Sequence, residues 1–132
     1  MFPKKDRLKN EKDFQKTFSK GKGVYHPLVS LKLRKNQRGY SRFAFVVGVK
    51  VTKSAVKRHR LRRQVAAIVR LHKMLFPQGY DMIFFVQKNA LEASYKDLEQ
   101  AIIFLEKKDK IWLNYGIFFK NSHSFLSKNP FF

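Results

Sequence analysis

The chain of 132 residues contains no cysteine. Disulfide bonds and thiol nucleophiles are therefore excluded, and the composition suits a reducing compartment. The chain also lacks any run of about 18 apolar residues, so we expect no transmembrane helix and no membrane partner. Its first residues have no apolar segment after their lysines, as a secretory signal peptide would have. These absences together predict a cytoplasmic protein.

Acidic residues are scarce, since 9 Asp and Glu stand against 29 Lys and Arg, and the formal net charge is +20 at pH 7. No Asp or Glu lies between residues 14 and 80, a stretch that carries 17 of the Lys and Arg residues. Such an excess opposes compaction by self-repulsion. Because a solvated surface usually mixes charges of both signs, this segregation predicts a nucleic-acid partner.

Patterns for catalysis and metal binding are absent as well. No HxH or HxxxH spacing occurs among the histidines, which are His26, His59, His72 and His123. Without cysteine, a zinc site is not expected. No Gly-rich phosphate loop is present, and the carboxylates show no pairing typical of acid–base hydrolysis. We therefore predict no catalytic and no metal-ligating residues in the protein.

Hydrophobic residues make up 44% of the chain, enough for a folded core. Their spacing predicts an α+β single-domain sandwich of one sheet with helices, in the order helix, strand, strand, helix, strand, helix. The corresponding ranges are 11–20, 27–35, 42–51, 54–76, 80–86 and 95–107. The domain is predicted to span residues 1–108, followed by a C-terminal tail, 109–132, of unknown role.

The first two predicted strands alternate between apolar and polar positions. In the first, Val29, Leu31 and Leu33 share one side, and the opposite side carries Ser30, Lys32 and Arg34. The second strand is predicted to place Lys50 on the same polar face, beside the small residues Ala44 and Gly48. Small residues in a strand leave room for a ligand or a helix.

The helix predicted over residues 54–76 is amphipathic. Its core stripe comprises Leu61, Val65, Ile68, His72 and Leu75. The opposite side carries His59, Arg62, Arg63, Arg70 and Lys73. Ala66 lies in the middle of this basic side, where its small size permits a close approach. Guanidinium groups bind phosphate oxygens in pairs, and a helix N-terminus adds oriented N–H groups, so the start of this helix is a candidate phosphate-binding surface.

Residues 55–63 read Ala-Val-Lys-Arg-His-Arg-Leu-Arg-Arg. This stretch resembles the signature Ala-Val-x-Arg-Asn-Arg-x-(Lys/Arg)-Arg of the protein subunit of bacterial ribonuclease P. The strand before it, Phe-Val-Val-Gly-Val-Lys, fits the same family, as do Arg7-Leu8-Lys9, Asp13-Phe14, Phe18 and Gly21, and later Tyr80-Asp81. The resemblance covers about residues 6–108. His59 departs from the signature, because the family has asparagine at that position.

The resemblance implies that an RNA subunit, with magnesium ions, is the catalyst that removes 5′ leaders from precursor tRNA. The protein binds that RNA and the leader, is inactive alone, binds no cofactor of its own and needs no protein partner. It also implies a left-handed crossover between parallel strands, against the general rule. The alternative is a general RNA-binding or ribosome-associated protein. A protein-only nuclease is not favoured, because the chain lacks the clustered carboxylates or histidines that it would need. A DNA-binding helix-turn-helix is not favoured either, because a strand precedes the basic helix where that motif has a helix.

Two sets of site residues follow from the resemblance. The set predicted to bind the RNA subunit is Lys53, Lys57, Arg58, His59, Arg60, Arg62, Arg63 and Arg70. The set predicted to bind the leader, in a cleft between the first helix and the sheet, is Phe14, Phe18, Ser30, Lys32, Arg34 and Lys50. For Phe14 and Phe18, packing of the helix against the sheet is an equally open interpretation.

Overall fold

A computed structural model describes the backbone of residues 3–115 and the side chains of residues 3–108. Within these residues the chain forms three α-helices: α1 (Glu11–Lys20), α2 (Ala55–Leu71) and α3 (Tyr95–Tyr115). Four strands accompany them: β1 (Lys22–Val24), β2 (Val29–Lys35), β3 (Arg42–Val47) and β4 (Tyr80–Val86). The predicted α+β class is confirmed, and the predicted order holds with β1 as one additional strand.

The strands form one sheet in the order β1-β2-β4-β3. β2 pairs with β1 and with β4 in antiparallel fashion, whereas β3 and β4 are parallel neighbours. α2 connects these two parallel strands, as the family resemblance implies; the hand of this crossover stays a prediction. β3 is consequently an edge strand, and α2 begins close to that edge.

Local sequence signals set the helix boundaries. The Asn10 side chain accepts hydrogen bonds from the N–H groups of Lys12 at 2.9 Å and Asp13 at 3.2 Å, which caps α1. Gly21 ends the helix where any side chain would collide with the Thr17 carbonyl oxygen. Ser54 caps α2 by accepting from the N–H of Lys57 at 3.3 Å. The predicted range 11–20 is therefore confirmed.

The sheet buries both of its faces. One face packs against α2 and α3 and forms the main core, with β2 and β4 contributing Val29, Leu31, Leu33, Met82, Phe84 and Val86. On the opposite face, Ile83 and Phe85 of β4 form a smaller cluster with Leu8, and α1 packs over it. β4 is thus buried on both sides, as its nearly continuous apolar sequence predicts.

Several predicted boundaries are wrong, among them the start of β2, which is Val29 and not residue 27. β3 ends at Val47, and a turn follows in which the N–H of Val51 donates to the Gly48 carbonyl at 3.0 Å. Lys50 therefore lies in this turn and not on the predicted polar strand face. β1 was not predicted, because three residues are too few for an alternating pattern.

α2 ends at Leu71 and not at residue 76. The N–H of His72 is shared between the carbonyls of Ile68 and Val69, both at 3.1 Å, so the last turn tightens into a 3₁₀ turn. Leu75, predicted in the core, is 43% exposed, and Phe76 is buried instead.

α3 continues to Tyr115, beyond its predicted end at 107, so the first part of the predicted tail is helical. Residues 116–132 of that tail lie outside the described residues. None of the helices in the described part of the chain is long and apolar enough to cross a bilayer.

Candidate nucleic-acid interface

The exposed surface of α2 carries the predicted cations. Its core stripe lies against the sheet, with Leu61, Val65 and Ile68 at most 2% exposed. The cations and the histidine on the rest of the helix surface are here called the basic face. They are Lys57, His59, Arg60, Arg62, Arg63 and Arg70. Arg62 is half-buried and the others are exposed, as is Lys53 in the preceding loop. The amphipathic pattern read from the sequence is confirmed, except that Ala66, predicted in the middle of the basic side, is buried and packs with the main core.

No member of the basic face forms an ion pair with another described residue. Asp6, Asp13 and Asp81 form ion pairs with residues outside this face. Arg58 differs from its neighbours, because its Nη1 donates to the Thr52 carbonyl at 2.9 Å and holds the loop before the helix. At the N-terminal end of α2, Val56, Arg58 and Arg62 line a shallow depression of about 490 Å³. The charge on this face is therefore available to an external polyanion.

The predicted leader residues Phe14 and Phe18 are half-buried on α1. Both pack against the small cluster of Ile83 and Phe85, and the rings of Phe18 and Phe85 meet edge-on at 5.8 Å between centroids. Both rings therefore pack α1 against the sheet, which is one of the two interpretations open from the sequence. Ala44 and Val46 of β3, also only partly buried, pack against the same cluster, and these four residues define what we call the α1 cleft.

Two polar residues predicted to bind the leader make internal contacts. Ser30 has 0% exposure, and its hydroxyl accepts a hydrogen bond from Nε2 of Gln87 at 3.1 Å. The Lys32 ammonium donates to the Phe18 carbonyl and lies 4.9 Å from the centre of that ring. Since the Phe18 carbonyl is in the last turn of α1, Lys32 satisfies a group the helix leaves open. Burial lowers the pKa of Lys32.

The other two predicted leader residues lie apart from each other. Arg34 is half-buried in β2, at the register position opposite Asp81. Lys50, in its turn, lines a cavity of about 500 Å³ with Tyr25 and Lys88. The contribution of both residues to leader binding stays a prediction.

An ionic network missed in the sequence connects α1 to the sheet. Arg42 donates from Nε to Oδ1 of Asp81 at 2.9 Å and from Nη2 to Oδ2 at 2.8 Å. The same Nη2 donates to Oδ2 of Asp13 at 3.1 Å, and Nδ2 of Asn36 donates to Oδ1 of Asp81 at 2.9 Å. The hydrogen bond to Asp81, in particular, raises the pKa of Arg42. The sequence did contain a signal for this network. Asp81 is the one charged residue in the apolar sequence of β4, and a buried carboxylate needs a cation as its partner.

Two further side-chain contacts fix the end of α2. Lys73, predicted on the basic side, pairs with the buried carboxylate of Asp6, and Nε2 of His72 lies 3.4 Å from Oε2 of Glu99 on α3. Lys73 is therefore engaged by the N-terminal segment, and His72, predicted on the core stripe, is half-buried beside α3.

Comparison with known proteins decides the family, since a family model described as Ribonuclease P matches residues 2–109. The chain belongs to the ribonuclease P protein family. It is 36% identical over 103 residues to the ribonuclease P protein component of Alkaliphilus oremlandii, covering 78% of this chain and 90% of that protein. The corresponding protein of Pelotomaculum thermopropionicum is 33% identical over 106 residues, covering 80% of this chain and 94% of the relative.

Solved structures agree with this assignment. The ribonuclease P protein from Thermotoga maritima has a TM-score of 0.70 at 28% identity, covering 77% of this chain and 96% of that one. The Staphylococcus aureus protein has a TM-score of 0.70 at 21% identity, covering 80% and 95%, and supports the fold alone. The predicted family and fold class are confirmed. The chain is an RNA-binding protein subunit of the ribonucleoprotein endoribonuclease ribonuclease P, which processes the 5′ ends of tRNA.

Proposed function

We propose that this ribonuclease P protein divides RNA binding between two surfaces in the cytoplasm. The basic face of α2 binds the catalytic RNA subunit, together with Lys53 and Arg58. The α1 cleft binds the single-stranded 5′ leader of precursor tRNA. The observation that carries the proposal is the absence of carboxylate partners on the basic face among the described residues.

The basic face suits a folded RNA because its cations are fixed on a rigid helix. α2 is held by its buried stripe and by its cap at Ser54, so the guanidinium groups are preorganised. Arginine forks contact phosphate oxygens in pairs, and each phosphate contact releases counterions from the RNA. Binding through this face is therefore expected to weaken steeply as salt increases.

The α1 cleft suits a single strand of RNA. Phe14 and Phe18 present partly exposed rings one helical turn apart, and unpaired bases stack on such rings with little regard to sequence. The neighbouring Ala44 and Val46 are partly buried and small or slender, so the floor of the cleft is apolar. A duplex has no unstacked bases to place there, which favours the leader over the mature tRNA body.

The reaction itself is assigned to the RNA. No cluster of three or more His, Asp or Glu residues that could hold a metal ion occurs in the described part of the chain. The proposal therefore assigns Mg²⁺ to the RNA of the holoenzyme. The protein contributes binding and orientation of the leader.

Reconstitution tests the proposed function. The protein is combined with a bacterial ribonuclease P RNA, and leader removal from precursor tRNA is measured at low magnesium. We expect faster cleavage with the protein than with the RNA alone, and no cleavage by the protein alone. Magnesium-dependent cleavage by RNA-free protein, or no effect of the protein on the RNA, would contradict the proposal.

A further inference from the structure

A small groove lies along the β3 edge of the sheet. Residues 7–9 run beside β3, because the N–H of Leu8 donates to the Phe43 carbonyl at 2.8 Å and Arg7 pairs with Phe43 in parallel register. α2 flanks the same edge from the other side with His59 and Ala66. The groove between them has a volume of about 270 Å³.

The groove is apolar at its base and cationic at its rim. The apolar lining comprises Leu8, Phe43, Ala44, Phe45 and Ala66. The polar lining comprises Arg7, Lys9, His59, Arg62 and Arg63. None of these described residues is acidic, and the nearest carboxylate in sequence, Asp6, is buried and paired with Lys73. The groove exists because two of its walls are alanines.

The size and lining of the groove indicate which chemical group it can bind. Pockets for drug-sized ligands run to roughly 300–1,000 Å³, so this groove suits a smaller planar group. An apolar base with cations at the rim matches one unstacked nucleobase whose flanking phosphates lie on the guanidinium groups. A base paired within a duplex stays stacked and cannot enter.

We propose that the groove receives a single unstacked base of the RNA subunit. The proposal rests on the proposed function of the basic face, since His59, Arg62 and Arg63 belong to both surfaces. Of the four residues that define the α1 cleft, only Ala44 lines the groove, and neither of the stacking rings does, so the RNA subunit is favoured over the leader as the source of the base. The groove thereby gives α2 a contact with a base in addition to its contacts with phosphates.

Filling the groove tests the proposal. Ala66→Met occupies the space without changing charge, and binding to the RNA subunit is measured in the absence of tRNA. We expect affinity to fall roughly 5- to 150-fold, the range for one stacked base. The slope of log affinity against log salt is expected to stay unchanged, because no phosphate contact is lost. The matched control, Gln100→Met, adds bulk at an exposed position of α3, away from the basic face and the groove, and is expected to bind as wild type.

The double variant Arg62→Gln/Arg63→Gln separates this proposal from the function on which it rests. If it weakens binding and flattens the salt slope while Ala66→Met binds as wild type, the base site is wrong and the basic face stands. If neither variant weakens binding, both are wrong. Equal weakening by Ala66→Met and Gln100→Met also overturns the base site, since bulk far from the groove would then suffice.

Chemical probing keeps the proposal testable if Ala66→Met, at a 6% exposed position, unfolds the protein. The RNA subunit is modified with dimethyl sulfate and a carbodiimide, with and without wild-type protein. We expect at least one unpaired base to become protected, and the protection to be lost with Ala44→Met, which fills the groove from its other wall. Absence of any such protection overturns the proposal, and so does protection found only in the leader of added precursor tRNA.

Discussion

The basic face of α2 and the sheet face beneath α1 are both rich in cations, yet the fold uses them in opposite ways. On α2, Arg60, Arg63 and Arg70 are exposed and have no ion-pair partner among the described residues. Beneath α1, Arg42 joins two aspartates and Lys32 caps the helix. One surface keeps its charge for an external anion, and the other uses its charge to hold α1 over the sheet.

This difference teaches that charge density alone does not locate an RNA-binding surface. A cation on a strand flanked by apolar neighbours is desolvated and must find an internal partner. A cation on the outer side of an amphipathic helix stays hydrated, so it needs no internal partner and remains available to an external anion. The α1 cleft is therefore expected to bind RNA chiefly through its rings, and the basic face chiefly through its charges.

The largest effect is expected from breaking the internal network. Arg42→Met leaves Asp81, 1% exposed, as a buried carboxylate without its cation. We expect the free energy of unfolding to fall by about 3–5 kcal/mol in urea titrations, as for other broken buried ion pairs. The matched control is Arg38→Met, which removes a 50% exposed partner 3.8 Å from Asp13, and a loss of about 0–1 kcal/mol is expected.

The double variant Arg42→Met/Asp81→Leu sharpens this test. Replacing both charges removes the unpaired carboxylate, so part of the lost stability is expected to return. Equal losses for Arg42→Met and Arg38→Met would show that the buried network does not hold α1.

The next effect concerns the basic face. Arg60→Gln/Arg63→Gln removes two exposed cations, and we expect the salt slope of RNA-subunit binding to decrease by roughly 1.4–1.8. The charge-matched control, Lys96→Gln/Lys107→Gln, changes two exposed lysines of α3 and is expected to leave the slope near that of wild type. Equal slopes for the two variants would place the RNA-subunit surface elsewhere.

A smaller effect is expected from the rings of the cleft. Phe14→Ala removes one stacking surface, so the reconstituted complex is expected to bind precursor tRNA more weakly by about 1–3 kcal/mol. Mature tRNA, which has no leader, is expected to bind as before. Phe104→Ala, at a 39% exposed ring on α3, is the control. Parallel weakening for both RNAs, with each variant shown to be folded by circular dichroism, would assign Phe14 to packing alone.

The smallest effect is expected on the pH dependence of stability, from a residue outside both surfaces. His26 accepts a hydrogen bond at Nδ1 from the N–H of Leu28 at 3.0 Å, and burial lowers the pKa of His26 below 6.5. The unfolded chain then takes up a proton at a higher pH than the folded chain, so stability falls as pH decreases below about 6.5. His26→Gln is expected to reduce this decline in urea titrations from pH 7 to pH 5. An unchanged decline would assign it to other groups.

The sequence predicted what depends on local periodicity and capping. The ranges 11–20 and 80–86 agree with α1 and β4, and the stripe of Leu61, Val65 and Ile68 faces the core. The basic face of α2 was readable for the same reason, because an amphipathic helix buries one side and exposes the other.

What the sequence did not reveal depends on contacts between distant residues. Ser30 and Lys32 alternate like solvent-facing residues, but both are buried, because Ser30 bonds to Gln87 and Lys32 bonds to the end of α1, and no local pattern records these contacts. The partners of Arg42 are 29 and 39 positions away in sequence, so only the folded sheet unites them. The groove beside Ala66 likewise needs residues 7–9 to pair with β3.

The most direct test of the two-surface account is one binding experiment with two variants. The affinity of Arg60→Gln/Arg63→Gln and of Phe14→Ala is measured for the RNA subunit, and then the affinity of each reconstituted complex for precursor and mature tRNA. The account predicts that the arginine variant loses affinity for the RNA subunit, whereas Phe14→Ala keeps it and loses only the preference for precursor over mature tRNA. Equal losses of RNA-subunit affinity by the two variants would contradict the account.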